Sequence, residues 1–328
     1  MRKHNFEGTI DFFSDEPHIF VPTAFKAIEK EFYHKFTNHN IYIIAKTNRL
    51  WFHPQMTELN IKERKALCHF VIQNEYERVV HPWISNVPFD TNSIEVSNFP
   101  HREVYLKNAK NDVIRSINAL QFLMELPDDI KPDFEVLYVG KSYGRKRNIN
   151  ILDRLFKQHH KKFNEIVIDT MEDSPDKQVV IVALNFILEK RIISTGFNEP
   201  VDIPFEADQE RMEYLKDIDT NRKYKIDLIE EALINYFSPQ YNESQKKSLG
   251  KLSSKAIKAF QKLDLSGVVV EFNTRSTGVK LKSDCVTSKK LHMIQFSTFK
   301  DKERSNFIDM ENLDKSRQMN NDKLLELI

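Results

Sequence analysis

The sequence predicts a mixed α+β chain, on three observations. Apolar runs of strand length, IYIIAK (Ile41–Lys46), FEVLYV (Phe134–Val139) and QVVIVALNFIL (Gln178–Leu188), are each bounded by turn-forming residues. Between them lie stretches of helical period, ILDRLFKQHHKKF (Ile151–Phe163) and the Ile226–Phe237 segment. Strand and helix patterns are interspersed, with both represented in each third of the sequence or adjoining it.

In chain order, Pro22 opens a helix that runs to Phe36. IYIIAK and LWFH (Leu50–His53), joined by Thr-Asn-Arg, are expected to form a hairpin. Asn60 and Glu63 have capping-box spacing, and Ala66, Leu67, Phe70 and Val71 then recur as on a helix. Turn formers crowd residues 81–100, which sets a boundary after an N-terminal mixed α/β region, 1–100. A middle region, 101–245, begins with REVYL as a strand and continues as an amphipathic helix to Leu126, stopped by Pro127. FEVLYV, the loop GKSYGRKRNIN, the helix from Ile151, NEIVID as a strand, and QVVIVALNFIL follow. An acidic insertion at 189–222 leads into a helix that stops before Pro239. A strand-containing C-terminal region and tail, 246–328, contains VVVEF, VKLK and LHMIQF.

With 328 residues, 40% of them hydrophobic, 24 of them Phe, and 30% charged, the chain can fill a sizeable core and keep a polar surface. The net charge of +1 gives no sign of a polyanion binder, but its distribution does. Between Lys141 and Lys162 stand eight Lys/Arg against Asp153 alone, and between Glu243 and Lys262 six Lys against one Glu. Cys68 and Cys285 are the only cysteines, which argues against a disulfide framework or a structural zinc. No signal-peptide core and no membrane-length apolar run is present, so a cytoplasmic protein without a membrane partner is expected.

One side chain stands out. On a helical wheel Glu230 falls on the same broad side as Ile226, Ile229, Leu233, Ile234, Tyr236 and Phe237, whereas Glu231 and Asn235 point away. A carboxylate facing an apolar side needs an Arg, a hydrogen-bond network or a metal to compensate it. A hard divalent ion with open positions for phosphate and water is one such partner; a structural ion pair is the other. GKS at Gly140–Ser142 also evokes a phosphate-binding loop, but that motif needs Gly where Glu135 stands.

LYVGK (Leu137–Lys141), the Arg154-Leu155 pair, and Glu230 followed by Leu233-Ile234 and Pro239-Gln240-Tyr241-Asn242 together resemble the GIY-YIG endonucleases. The resemblance spans about 135–242. It implies a small antiparallel sheet of about three strands flanked by helices, and a metal-dependent endonuclease using one Mg²⁺ or Mn²⁺ held by Glu230. It implies further that Tyr138 orients or activates water, that Lys141 assists it or contacts phosphate, and that Arg154 stabilises phosphate charge. His159 falls near the place of a family His. Asn242 would hold the core or position the site, and it is counted with the substrate-contacting residues. The first motif is assigned to Glu103-Val104-Tyr105, with Tyr105 as second tyrosine; Asn40-Ile41-Tyr42 is set aside as too distant. Arg145, Lys146, Arg147 and Lys157 are expected to grip the substrate backbone, with double-stranded DNA as partner. The alternative is a non-catalytic nucleic-acid-binding protein on a degenerate nuclease scaffold.

Overall fold

The computed structural model describes residues 4–75, 77–123, 126–143, 149–194, 203–217, 222–243, 258 and 260–299. Its centre is a six-stranded sheet in the order Val286–Lys289, Leu281–Ser283, Phe134–Lys141, Ile41–Asn48, Lys177–Leu184 and His18–Phe20. Ile41–Asn48 is antiparallel to both long neighbours, with Gly140 opposite Tyr42 and Ala183 opposite Tyr42 on the other side. Ile, Val and Ala dominate these strands because both faces are covered. Ile41, Ile43, Ala45, Val180 and Val182 face one core, and Ile44, Ile181 and Ala183 face another. The first core contains the long helix Arg222–Phe237; the second contains Leu155 and the helix Lys161–Asp173.

Three further sheets surround this one. Phe6–Ser14 lies between Phe186–Ser194, antiparallel, and Gly267–Asn273, parallel, with Leu291–Ser297 outermost. Lys65–Asn74 pairs with Leu50–Phe52, Glu58–Asn60 and Glu77–Asn86. Val113–Asn118, Glu103–Lys107 and Ser93–Val96 form the last. The chain is thus mixed α/β with several sheets. The central one draws strands from 1–100, 101–245 and 246–328 alike, so those three spans are not separate sheets. Among the described residues no helix is long and apolar enough to cross a membrane.

Several elements differ from the sequence expectation. Lys65–Asn74 is a strand, not a helix: Ala66, Cys68, Phe70 and Ile72 are buried at period two, which the helical count at Ala66 and Phe70 also satisfied. Asn60 Oδ1 does accept the Glu63 N–H, 3.1 Å, but within a turn. Leu50–Phe52 pairs with that strand and not with Ile41–Asn48. NEIVID lies inside the helix Lys161–Asp173, where Phe163, Ile166 and Thr170 share the buried side. Residues expected as one helix from Asn108 to Leu126 divide into the strand Val113–Asn118 and the short helix Ala119–Leu123. The helix from Ile151 widens to a π-helical turn, Asp153–Lys157, and breaks at His159, whose φ is 48°.

Candidate functional site

A β-bulge creates the site. Val136 lies opposite Ala45 and Tyr138 opposite Ile44, so Leu137 is an extra residue in its strand. Strict alternation from Phe134 and Val136 would aim Tyr138 at the core under the long helix. The extra residue turns it over: Tyr138 joins Tyr42, Ile44 and Leu137 on the opposite face. Tyr42 and Tyr138 then have ring centroids 6.2 Å apart. Gly140 lies beneath both, and a Cβ there would meet Tyr42 Cζ and Oη at 2.5 Å and Tyr138 Cε1 at 2.6 Å. Glycine is required by this close approach.

His160 extends the pair. As N-cap of the helix Lys161–Asp173 it accepts the Phe163 N–H at Nδ1, 3.0 Å, which leaves Nε2 to carry the ring proton. Nε2 is 2.7 Å from the Tyr42 hydroxyl, and the His160 ring also lies edge-on to Tyr138, 5.7 Å between centroids. Burial, then the nearby Arg154, lowers the His160 pKa and favours this neutral form. Burial, then Tyr138, holds the Tyr42 hydroxyl well above its ordinary pKa. Burial, then Glu230, raises that of Tyr138, with Arg154 opposing. Phe163 N–H, His160 and Tyr42 thus form one hydrogen-bonded chain packed against the Tyr138 ring.

Arg154 is half-buried on the π-helical turn and acts electrostatically on Tyr42, Tyr138 and His160 together. The adjacent acid does not take it. Asp153 accepts from the Tyr33 hydroxyl, 2.5 Å, and pairs with Lys157, 2.9 Å. Phe25 stacks on Phe156 at 4.2 Å between centroids, so the Pro22–Phe36 segment braces this turn from outside.

Glu230 approaches the end of the same strand from the other face. It is 7% exposed, and its Oε2 lies 2.5 Å from Lys141 Nζ, which also reaches Asp227 Oδ1 at 2.7 Å. Burial raises the Glu230 pKa, with Lys141 opposing. Burial works against the charge of Lys141, but Glu230 and Asp227 outweigh it and raise its pKa. Glu230 also acts on the ionisation of both tyrosines. Among the described residues no group of three or more His, Cys, Asp or Glu could hold a metal. Two carboxylates a helical turn apart around one ammonium nonetheless suit a hard cation, which takes one or two carboxylates and fills its other positions with water and phosphate.

The remaining assignments change. Tyr105 stands on a different sheet with its hydroxyl on Glu103 Oε2 at 2.7 Å, so it does not face Tyr138; Tyr42 does. His159 is exposed, and its neighbour His160 is the residue turned inward. Asn242 contacts backbone: the Val139 N–H donates to its Oδ1 and its Nδ2 donates to the Val139 carbonyl, both 2.9 Å. That amide satisfies the part of the strand beyond its short pairing with Leu281–Ser283, in line with the expectation that Asn242 holds the core or positions the site. Lys141 faces Glu230 and Asp227 instead of a tyrosine, and Lys157 is held by Glu29, 2.6 Å, and Asp153. Arg145, Lys146 and Arg147 lie outside the described residues.

Compared with known proteins, the chain matches no family model, no curated protein and no solved structure.

Proposed function

We propose that the chain is a metal-dependent phosphodiester hydrolase of the GIY-YIG type, acting on nucleic acid with double-stranded DNA as the expected substrate. The observation that carries this reading is the pairing of Tyr42 with Tyr138 over Gly140, set up by the bulge at Leu137. It supplies the second tyrosine that the motif on the Phe134–Lys141 strand calls for, on a three-strand antiparallel core of Phe134–Lys141, Ile41–Asn48 and Lys177–Leu184.

In this reading Tyr138 orients the attacking water. His160 and Tyr42, hydrogen-bonded to each other, hold the Tyr138 ring between them so that its hydroxyl presents one geometry to that water. Arg154, carrying no carboxylate of its own among the described residues, takes a non-bridging phosphate oxygen as negative charge grows in the transition state. Glu230, with Asp227 beside it, would hold the Mg²⁺ or Mn²⁺. When bound, such an ion polarises the phosphate and stabilises the leaving oxygen.

Plasmid incubated at low salt with Mg²⁺ or Mn²⁺ tests the proposal: the chain nicks or linearises it, Glu230→Ala does not, and Glu231→Ala does. Equal cleavage by both variants contradicts the site. The second reading, nucleic-acid binding without cleavage, is favoured by the ammonium of Lys141 on Glu230. Salt-sensitive plasmid retention with no cut in either metal supports that reading.

A further inference from the structure

A second feature of the molecule is a cavity away from the tyrosines. It lies at the other end of the central sheet, about 670 Å³ in volume, where Asn48 pairs with Lys177. Six residues of one strand separate Tyr42 from Asn48, roughly 20 Å at strand rise. We infer that this cavity, walled by Arg49, Arg78, Arg102, Trp51 and Phe99, binds a nucleotide unit, with its phosphate on the guanidiniums and its base on the aromatic rings.

The charges argue for an anion. Three arginines line one cavity, and among the described residues none has a carboxylate at ion-pair distance. Glu75, Asp173 and Asp176 line the cavity as well, against Arg49, Arg78, Arg102 and Lys177, which leaves one positive charge in excess, and Asp176 is already taken by Lys177, 2.8 Å, and by the Glu75 N–H, 3.1 Å. Arg49 donates Nε to the Lys177 carbonyl, 2.9 Å, and Arg102 donates Nη1 to Thr23 Oγ1, 3.0 Å. Each is thereby anchored by one nitrogen and keeps others for a ligand. Burial, and to a lesser extent the neighbouring Arg49, lowers the Arg102 pKa. A planar fork matches phosphate oxygens better than a point charge does.

The rings argue for a base. Phe99 is 85% exposed at the cavity's edge, and Arg78 lies over the Trp51 ring at 5.8 Å. Large apolar rings beside unpaired guanidiniums form the stacking-plus-cation surface that holds a nucleobase and its phosphate. The walls are tied to the sheet through backbone: the Arg49 N–H reaches the Asp176 carbonyl at 2.8 Å and the Gln73 N–H the Arg49 carbonyl at 3.0 Å. The cavity's volume lies within the range of small-ligand sites. A nucleotide belonging to a bound strand, instead of a free one, rests on the function proposed above; the distance to Tyr42 is about six nucleotide steps at 3.4 Å per step.

The test uses the full chain in EDTA, so that cleavage plays no part, and measures anisotropy of a short labelled single strand and of a duplex, with AMP and inorganic phosphate as competitors. Arg78→Glu and Phe99→Ala change exposed side chains, and circular dichroism checks their folding; Arg102→Ala is the third variant. Each arginine variant weakens binding ~tenfold and lowers the salt slope by about one, and Phe99→Ala weakens it several-fold. Competition by AMP assigns a free nucleotide; strand binding that AMP does not displace, yet that the same variants weaken, assigns a strand. Binding unchanged in all three variants overturns the inference, as does inorganic phosphate competing as well as AMP with Phe99→Ala silent. A chain that cleaves plasmid but binds the strand equally in all variants sinks this inference alone. A chain that never cleaves yet loses binding in the variants sinks the nuclease proposal alone.

Discussion

Lys141 Nζ lies 2.5 Å from Glu230 Oε2, so the carboxylate buried on the long helix is neutralised by an ammonium from the strand that helix covers. The pair explains how a charged residue sits among Ile226, Ile229 and Leu233 without unfolding the helix. Removing the ammonium with Lys141→Met leaves Glu230 without its cation. Because the Lys141 side chain is 32% exposed, the cost is set below that of a fully buried pair, about 1–3 kcal/mol in urea unfolding at pH 7 with EDTA. If the ammonium occupies the place of a divalent ion, Lys141→Met also binds Mn²⁺ more tightly than the unmodified chain by calorimetry. Equal Mn²⁺ affinity would show that the two cations do not compete.

Gly140→Ala tests the tyrosine pair from below. The added methyl overlaps Tyr42 Oη and Tyr138 Cε1, so one phenol must move. Overpacking of this kind costs about 1–3 kcal/mol. Cleavage should fall by far more than the folded fraction does, since the loss is one of geometry. Activity that tracks only the amount of folded protein would remove the pair from the mechanism.

Tyr42→Phe and Tyr105→Phe discriminate the two candidates for the first motif. Tyr42→Phe removes the hydroxyl that meets His160 beside Tyr138 and is expected to lower kcat about 10²-fold. Tyr105→Phe removes a hydrogen bond to Glu103 on another sheet and should leave kcat unchanged. The reverse ranking, measured on a labelled duplex, would refute the arrangement proposed here.

The sequence made some of this legible and hid the rest for definable reasons. Glu230 was readable because one acid on an apolar helix side violates the pattern, and Phe134–Lys141 because its apolar run is bounded by Pro132 and Gly140. Tyr42 was not. The chain leaves the central sheet after Asn48, builds Lys65–Asn74 and its partners and then Ser93–Val96 with Glu103–Lys107 and Val113–Asn118, and returns only at Phe134. Adjacent strands are therefore far apart in sequence, and Tyr105 looked better placed by proximity alone. The bulge at Leu137 was hidden as well, since Leu and Tyr suit either face of a strand covered on both sides. His160 had a faint signal: a polar pair breaks the apolar stripe just before Phe163, where a new helix begins with that His as its cap.

Acid should loosen the molecule through His292, which joins the long helix to the outer sheet. Its ring is fully buried, stacked on Phe272 and in edge contact with Tyr236; Nε2 donates to the Lys289 carbonyl, 3.0 Å, and Nδ1 accepts from the Tyr236 hydroxyl, 3.2 Å. Both nitrogens are thus committed to the neutral ring, and burial lowers the pKa to about 4. A folded pKa below the unfolded value means that the unfolded chain binds the proton first. The stabilisation is fully present above about 6.5 and is lost as pH falls towards 4, up to roughly 2–3 kcal/mol. His39, also lowered to about 4 by burial and then by His18, adds to the same window. Urea unfolding from pH 7.5 to 4 should show stability falling with acid, and His292→Gln should flatten the curve while lowering stability at neutral pH. An unchanged slope in that variant would mean that His292 does not govern the acid response.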